Sequence, residues 1–368
     1  MNLFVIGNEN GRSQERKNMA IVTLVGSGQM ASALTFPLFE NGYEVRLVGS
    51  PLDGDVIARL RQDNYHINLD RTLHDGVKYY TIDQLSEALD DAELVVCGVS
   101  SFGVDWFLES VFPVIRADVP VISVTKGMID YPDGRLQVYP EYWAERMPED
   151  HQIELFAIGG PCTARDLSDH DHSFVAYCGK DLEKLAWIRE HFATDYYHIA
   201  ITDDVVGLEA AVALKNGYAL GTAIAIGMKN RCGDDGIAHV NSKAALFQQS
   251  VWEMDQLLGI VGGSHKMIMY AAGDLDVTVA GGRSRKVGQY LGEGFSMPEI
   301  EAKLAGQTLE AVVIATRTAK AVKAMAKAGR IKETDFPLLM HVDQCLNAGA
   351  KVNIPWHDFE TVTRDAVK

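Results

Sequence analysis

The stretch Glu209-Ala-Ala-Val-Ala-Leu-Lys215-Asn216 sets a lysine and an amide inside an otherwise apolar, alanine-rich run. Burying an unpaired ammonium costs several kcal/mol or lowers its pKa, so this lysine must reach a carboxylate or serve chemistry. Reducing a carbonyl by hydride transfer needs a proton donor near the oxygen, a clamp on the developing alkoxide and a hold on the rest of the substrate. Lys215 suits the first role. Lys126 ends the apolar run 119–124 in Ser123-Val-Thr-Lys126-Gly127, the carboxyl edge of a strand, where ligands of parallel sheets bind. Asp274, in Ala271-Ala-Gly-Asp274-Leu-Asp276-Val-Thr278, is a carboxylate in an apolar setting that would orient or balance Lys215. The cluster Gly281-Gly282-Arg283-Ser284-Arg285-Lys286 reads either as a solvated basic loop or as a phosphate site, because guanidinium binds phosphate bidentately.

The cofactor such chemistry requires has its own signature. Gly26-Ser27-Gly28-Gln29-Met30-Ala31 lies between an apolar strand, 20–25, and a helical pattern, 31–41, that ends at Gly42; a second strand follows at 45–48. In this strand–turn–helix–strand context the glycines allow a tight turn and close backbone approach, and the helix amino terminus offers free N–H groups to a pyrophosphate. Ala31 stands in the third glycine position. The tip of the second strand reads Val48-Gly49-Ser50-Pro51-Leu52-Asp53, with no acid immediately after the strand to accept a ribose 2′-hydroxyl. NAD and NADP therefore both remain open, with Ser50, Arg59 and Arg61 as the groups near a 2′-phosphate; the plain reading of the two arginines is a solvated helix face.

These residues need a scaffold of two parts. Strand patterns at 94–99, 119–124, 154–158 and 174–177 alternate with helical ones at 82–89 and 104–115, which predicts a doubly wound, mainly parallel α/β Rossmann sheet. Beyond Thr202 the pattern turns helical, with long alanine- and leucine-rich segments at 205–229, 242–258, 298–327 and 336–347. The expected organisation is an appendage of unassigned role at 1–18, a nucleotide-binding domain at 19–201 and an all-helical substrate-binding and catalytic domain at 202–368. At 368 residues, two domains are the default.

A formal charge of −16 argues against a nucleic-acid footprint while leaving room for a local basic pocket. The five cysteines show no paired spacing, as in a reduced cytoplasmic protein. No apolar run reaches the roughly 18–20 residues needed to cross a bilayer, so no membrane insertion is expected. Asp169-His170-Asp171-His172 alternates imidazoles and carboxylates but reads as a polar loop, and no metal is expected. Cys162 falls near the cleft, yet hydride transfer needs no covalent nucleophile. His265 is read as a structural hydrogen-bonding residue, and Trp252, Met254 and Leu257 as core.

Five segments in order — the glycine turn, Val-Thr-Lys126-Gly127, Gly159-Gly160-Pro161, Glu209 through Lys215-Asn216, and Gly273-Asp274-Leu through Gly282-Arg283 — resemble the NAD(P)-dependent sn-glycerol-3-phosphate dehydrogenase family. The similarity runs from about residue 20 to 350. It implies a Rossmann domain with a helical domain, a homodimer, and a small phosphorylated ketone and polyol as substrates. By the same resemblance Lys215 is the proton donor or acceptor, Lys126 and Asn216 bind near the carbonyl, and Asp274 and Thr278 complete the polar site. Arg283 binds the substrate phosphate and Glu310 lies near the cofactor. The chain departs from the family at Ser284, where an asparagine accompanies the arginine, and at Ser100 in Gly98-Val-Ser-Ser-Phe102, on the nicotinamide side. It departs again at His239 and Val48. These departures leave another polyol phosphate, or an unphosphorylated or carboxylated keto substrate, as alternatives. A non-catalytic nucleotide sensor is disfavoured by the presence of Lys126, Lys215 and Asp274 together.

Overall fold

The computed structural model describes residues 20–231 and 240–365. The expectations for residues 1–18, Cys232 and His239 lie outside them. Eight strands form one sheet: β1 (Ile21–Val25), β2 (Glu44–Val48), β3 (Lys78–Tyr80), β4 (Ala92–Cys97), β5 (Val121–Ser123), β6 (Leu155–Gly159), β7 (Ser173–Cys178) and β8 (Tyr197–Thr202). Their spatial order is β8-β7-β6-β5-β4-β1-β2-β3. All neighbours are parallel except β6 and β7. The expected mainly parallel α/β sheet is thus present. Its order reverses at β1, which has β2 on one side and β4 on the other, and ligands of such sheets bind at the carboxyl end of that switch point.

The central strands are apolar on both faces because both faces are covered. In β4, Leu94 and Val96 join a core with Val22, Leu24 and the helix α1 (Gln29–Glu40), whereas Val95 and Cys97 face Phe107, Phe112 and Trp143. Helix α2 (Gly54–Asp63) follows β2 and ends at Asn64 in the left-handed conformation.

After β8 the chain is helical. Helix α3 (Val205–Arg231) is surrounded by α4 (Val240–Val261), α5 (Ile268–Ala280), α6 (Gly282–Glu293), α7 (Glu310–Lys327) and α8 (Pro337–Asn347). Every side chain from Leu208 to Leu214 is at most 1% exposed, which explains why this stretch is apolar all round rather than on one stripe. The small residues let neighbours approach: a Cβ at Gly159 would lie 2.9 Å from Leu208 and Val212, so β6 and α3 meet closely enough to bring strand ends and helix face together.

Several expected elements differ. The region 298–327 is two helices, Met297–Lys303 and α7, separated by a turn with Gly306 at φ +78°. The 104–115 helix stops at Ser110 and gives way to a 3₁₀ turn over Phe112–Val114, which places Pro113 where its missing N–H is tolerated. The 82–89 helix opens as a 3₁₀ turn under a Thr81–Gln84 capping box. Two strands were not expected: β3, which has only three residues, and β8, Tyr197–Thr202. Segments 268–280 and 282–293 are helices, and the basic cluster is the first turn of α6 rather than a loop; Gly282 at φ +87° makes the corner between them. No helix among the described residues is long and apolar enough to cross a membrane.

Candidate active site

Four side chains from three elements meet beside the sheet's carboxyl edge. Lys126 comes from the loop after β5, Lys215 from the middle of α3, and Asp274 and Thr278 from one face of α5, four residues apart. Asp274 Oδ1 accepts from Lys215 Nζ at 2.8 Å and Oδ2 accepts from Lys126 Nζ at 2.6 Å, while Lys215 also donates to Thr278 Oγ1 at 2.7 Å. One carboxylate thus balances two ammonium groups, leaving the cluster net positive. Asp274 is 1% exposed and Lys215 6%, whereas the Lys126 side chain is 20% exposed and forms the solvent-facing limb.

Burial lowers the Lys215 pKa to about 8; Asp274 opposes this shift and Lys126 adds to it. Burying an ammonium disfavours its charged form, and the carboxylate beside it restores only part of the loss. Lys215 is therefore both protonated and readily deprotonated near neutral pH, which suits proton transfer. Glu209, two turns earlier on α3, is 1% exposed, and neither carboxyl oxygen has a hydrogen-bond partner. Burial raises its pKa to about 8, against the pull of Lys126, so its neutral form is favoured at pH 7. Sequence reading quoted Glu209 without giving it a role.

Asn216 follows Lys215, is partly buried and makes no side-chain hydrogen bond among the described residues. Arg283 and Ser284 open α6, whose first N–H groups have no side-chain cap. Arg283 is exposed and donates to Thr308 Oγ1 at 2.6 Å. It does not touch the lysine cluster but lies five residues beyond Thr278, around the Gly281-Gly282 corner. Exposed guanidinium beside free helix N–H groups suits an anion.

The glycine turn fits a dinucleotide on structural grounds. Gly26 has φ +101°, and a Cβ there would lie 2.8 Å from the backbone carbon of Gly98; a Cβ on Gly98 would lie 2.4 Å from that of Ala31. Only glycine allows β1, β4 and α1 to converge so closely. Gly28 and Gln29 are exposed, the N-cap residue Gly28 supplies no side-chain cap, and the Ser27 hydroxyl is buried with no hydrogen-bond partner. Met30 and Lys126 line one cavity of about 20 Å³, so the start of α1 adjoins the lysine cluster. Phe102, 59% exposed, stands beyond β4, and Glu310 at the start of α7 accepts from Ser101 N–H at 3.2 Å and from its hydroxyl at 3.1 Å.

At the tip of β2, Ser50 Oγ accepts from Leu52 N–H. Asp53 Oδ2 accepts from the N–H groups of Ser50 and Ser27, at 2.8 and 3.2 Å, so it ties the loop to the glycine turn. Arg59 pairs with Asp63, and Arg61 donates to Tyr79 O and Gln84, in keeping with a helix-face reading.

Among the described residues no group of His, Cys, Asp and Glu is arranged to hold a metal. In the 169–172 tract, Asp169 pairs with Arg71 and His170 with Glu40, while His172 stacks on His198. Burial raises Cys162 to about 11, making it a thiol rather than a nucleophile. His265 is hydrogen-bonded to Asp255, and Met254 and Leu257 are core.

Comparison with known proteins places the architecture. Residues 21–184 match the family model for the NAD-dependent glycerol-3-phosphate dehydrogenase N-terminus, and residues 204–356 that for its C-terminus. An NADP(+)-dependent glycerol-3-phosphate dehydrogenase of Archaeoglobus fulgidus is 31% identical over 334 residues, covering 90% of this chain and 96% of the relative. A glycerol-3-phosphate dehydrogenase [NAD(P)+] of Streptococcus gordonii is 28% identical over 79% of this chain and 83% of its own length. The glycerol-3-phosphate dehydrogenase structure from Coxiella burnetii superposes with a TM-score of 0.76 at 22% identity, covering 94% of this chain and 99% of that one. With both halves and the spacing between them matched, the chain belongs to the NAD-dependent glycerol-3-phosphate dehydrogenase family.

Proposed function

We propose that the protein interconverts dihydroxyacetone phosphate and sn-glycerol 3-phosphate with NAD(P). The observation that carries this reading is the buried Lys126–Asp274–Lys215–Thr278 cluster beside the glycine turn, within a chain of this family. The bound nicotinamide supplies or accepts the hydride. Gly26, Ser27, Gly28, Gln29, Met30 and Ala31 would hold its pyrophosphate, and Ser50, Phe102 and Glu310 would contact the rest of the dinucleotide. Lys215 donates its Nζ proton to the carbonyl oxygen in reduction and takes the alcohol proton in oxidation. Asp274 orients it. Lys126 and Asn216 stabilise the alkoxide with N–H donors, and electrostatic stabilisation of this kind is a large contribution to such barriers. Arg283, with Ser284 and the amino terminus of α6, holds the phosphate, so that remote binding energy aligns the carbonyl.

We also read the chain as two working units, 19–201 and 202–368. The end of β8 at Thr202 and the start of α3 at Val205 support that division. A homodimer rests on the family resemblance and on exposed apolar side chains such as Phe174 and Met269, 56% and 73% exposed. A cytoplasmic location rests on unpaired cysteines and the lack of a membrane-crossing helix among the described residues.

The test is oxidation of NADH and NADPH with dihydroxyacetone phosphate and with unphosphorylated dihydroxyacetone. Rapid turnover only with the phosphorylated ketone is expected. Arg283→Ala should raise its KM about 10- to 100-fold, the effect of losing charged hydrogen bonds. Equal use of both ketones would transfer the reading to an unphosphorylated substrate.

A further inference from the structure

His66 is absent from every motif above, yet it is fully buried against the glycine turn. Its Nδ1 accepts from the Leu69 N–H at 3.0 Å, so the ring proton sits on Nε2, which donates to the carbonyl of Ser27 at 2.8 Å. The other side of Ser27 is held as well, since its N–H donates to Asp53. Thus both backbone polar groups of Ser27, the residue between the two glycines, are bound to side chains from the segment 53–66. The same segment reaches the next residue but one: Gln29 Nε2 donates to Asn68 O at 2.5 Å. Backbone that must approach a pyrophosphate gains from glycine freedom but loses preorganisation by it. The 53–69 segment restores that preorganisation.

We propose that His66 and Asp53 are positioning residues that clamp the Ser27 peptide groups and thereby set the glycine turn for the cofactor pyrophosphate. This rests on the cofactor reading above. Neither residue touches the reacting atoms. Protonated His66 keeps the Nε2–H donor but would also carry a hydrogen on Nδ1, facing the Leu69 N–H donor to donor, so protonation removes the anchor that holds the ring and thereby loosens the clamp. Burial favours the neutral ring by lowering its pKa, and Asp53 is the charged group that opposes this. Of the other charges on the segment, Arg59 pairs with Asp63, Arg61 donates to Tyr79 O and Gln84, and Asp55 is exposed; just beyond it, Asp70 pairs with Arg165 and Arg71 with Asp169. Because the folded value lies below the ordinary one, the clamp is intact above the usual histidine range. It is lost as pH falls through the lowered value.

Titration calorimetry of the full-length protein with NAD+, whose phosphates keep their charge between pH 5 and 8, tests this directly, with NADP+ measured at neutral pH. His66→Ala should weaken binding of either about tenfold or more, a loss comparable to one or two hydrogen bonds. It should raise the cofactor KM by a similar factor while kcat at saturating cofactor falls less than threefold. His66→Gln keeps an N–H donor for Ser27 but does not titrate; it should restore affinity at neutral pH and abolish the weakening seen in the parent at acid pH. Asp53→Asn, which keeps the acceptor, should bind far better than Asp53→Ala. Unchanged affinity in His66→Ala, or the same acid weakening in His66→Gln as in the parent, overturns the clamp while leaving the cofactor reading intact. Failure of the parent protein to bind either dinucleotide overturns both.

Discussion

At the scale of single residues, burial brings the pKa values of two groups, Lys215 and Glu209, to about 8 from opposite sides. Lys215 is lowered to about 8 chiefly by burial, so its ammonium is the dominant form below that pH and the amine above it. Reduction should therefore fall as pH rises through about 8 while oxidation gains, and Lys215→Ala should lower kcat by about 10²–10⁴-fold with the fold intact. Steady-state rates in both directions across pH 6–10 check this; near-normal turnover by the variant would remove the proposed donor. Glu209 obeys the opposite sign. Its folded value, raised to about 8, exceeds the ordinary 4.5, so the folded protein keeps a proton that the unfolded chain releases. Stability from this group is present below the ordinary value and is lost as pH rises toward 8, by about 1 kcal/mol per pH unit. Glu209→Gln, which is neutral throughout, should unfold at higher temperature than the parent at pH 7.5, with the gap closing as pH falls below 4.5. Asp53 and His66 show a different lesson: sequence reading gives Asp53 no role, whereas in the structure its Oδ2 accepts from the N–H groups of Ser50 and Ser27.

At the scale of elements, the distance between Lys215 and Arg283 is set by the crossing of α3 and α6. The two helices approach at glycines. A Cβ on Gly292 would lie 2.1 Å from Ile224 O, one on Gly288 2.3 Å from Leu220 O, and one on Gly227 1.8 Å from Gln289 O. The obstacles are backbone atoms, which cannot swing aside. Gly292→Ala must therefore push α6 outward, costing about 1–3 kcal/mol as overpacking does. Because Arg283 rides on α6 and Lys215 on α3, kcat/KM for the phosphorylated ketone should fall more than for an unphosphorylated one. Denaturant unfolding and paired kinetics measure both. None of these glycines lies at a positive φ, so the pattern reads as an ordinary run of small helix residues until the partner helix is known.

At the scale of the whole molecule, the sheet and the helices share the site, and few groups hold them in register there. Lys126 meets Asp274 across that division, Glu310 accepts from Ser101, and Arg317 donates to Met128 O. A double-mutant cycle between Ser101→Ala and Glu310→Gln should give a coupling of about 0.5–3 kcal/mol, and Glu310→Gln alone should raise the cofactor KM. Additive effects would show that the bridge does no joining. By itself the sequence determined the elements whose signals are local: the glycine turn between two strands, the apolar central strands and the lysine in an apolar helix. Each is imposed by sterics or burial on neighbouring residues, so the residue types reveal it. The broken helices at 298–327 and the helical start at Gly282 were obscured because isolated glycines and charged residues fit a loop or a first helical turn equally well. Only the tertiary structure decided that Asp274 holds Lys126 as well as Lys215, that Asp53 serves the loop, and that His66 supports the glycine turn. Apart from the Asp53–Ser50 contact, which spans three residues, those pairings lie 26 to 148 residues apart in the chain. They depend on the packing of whole elements, which no local pattern encodes.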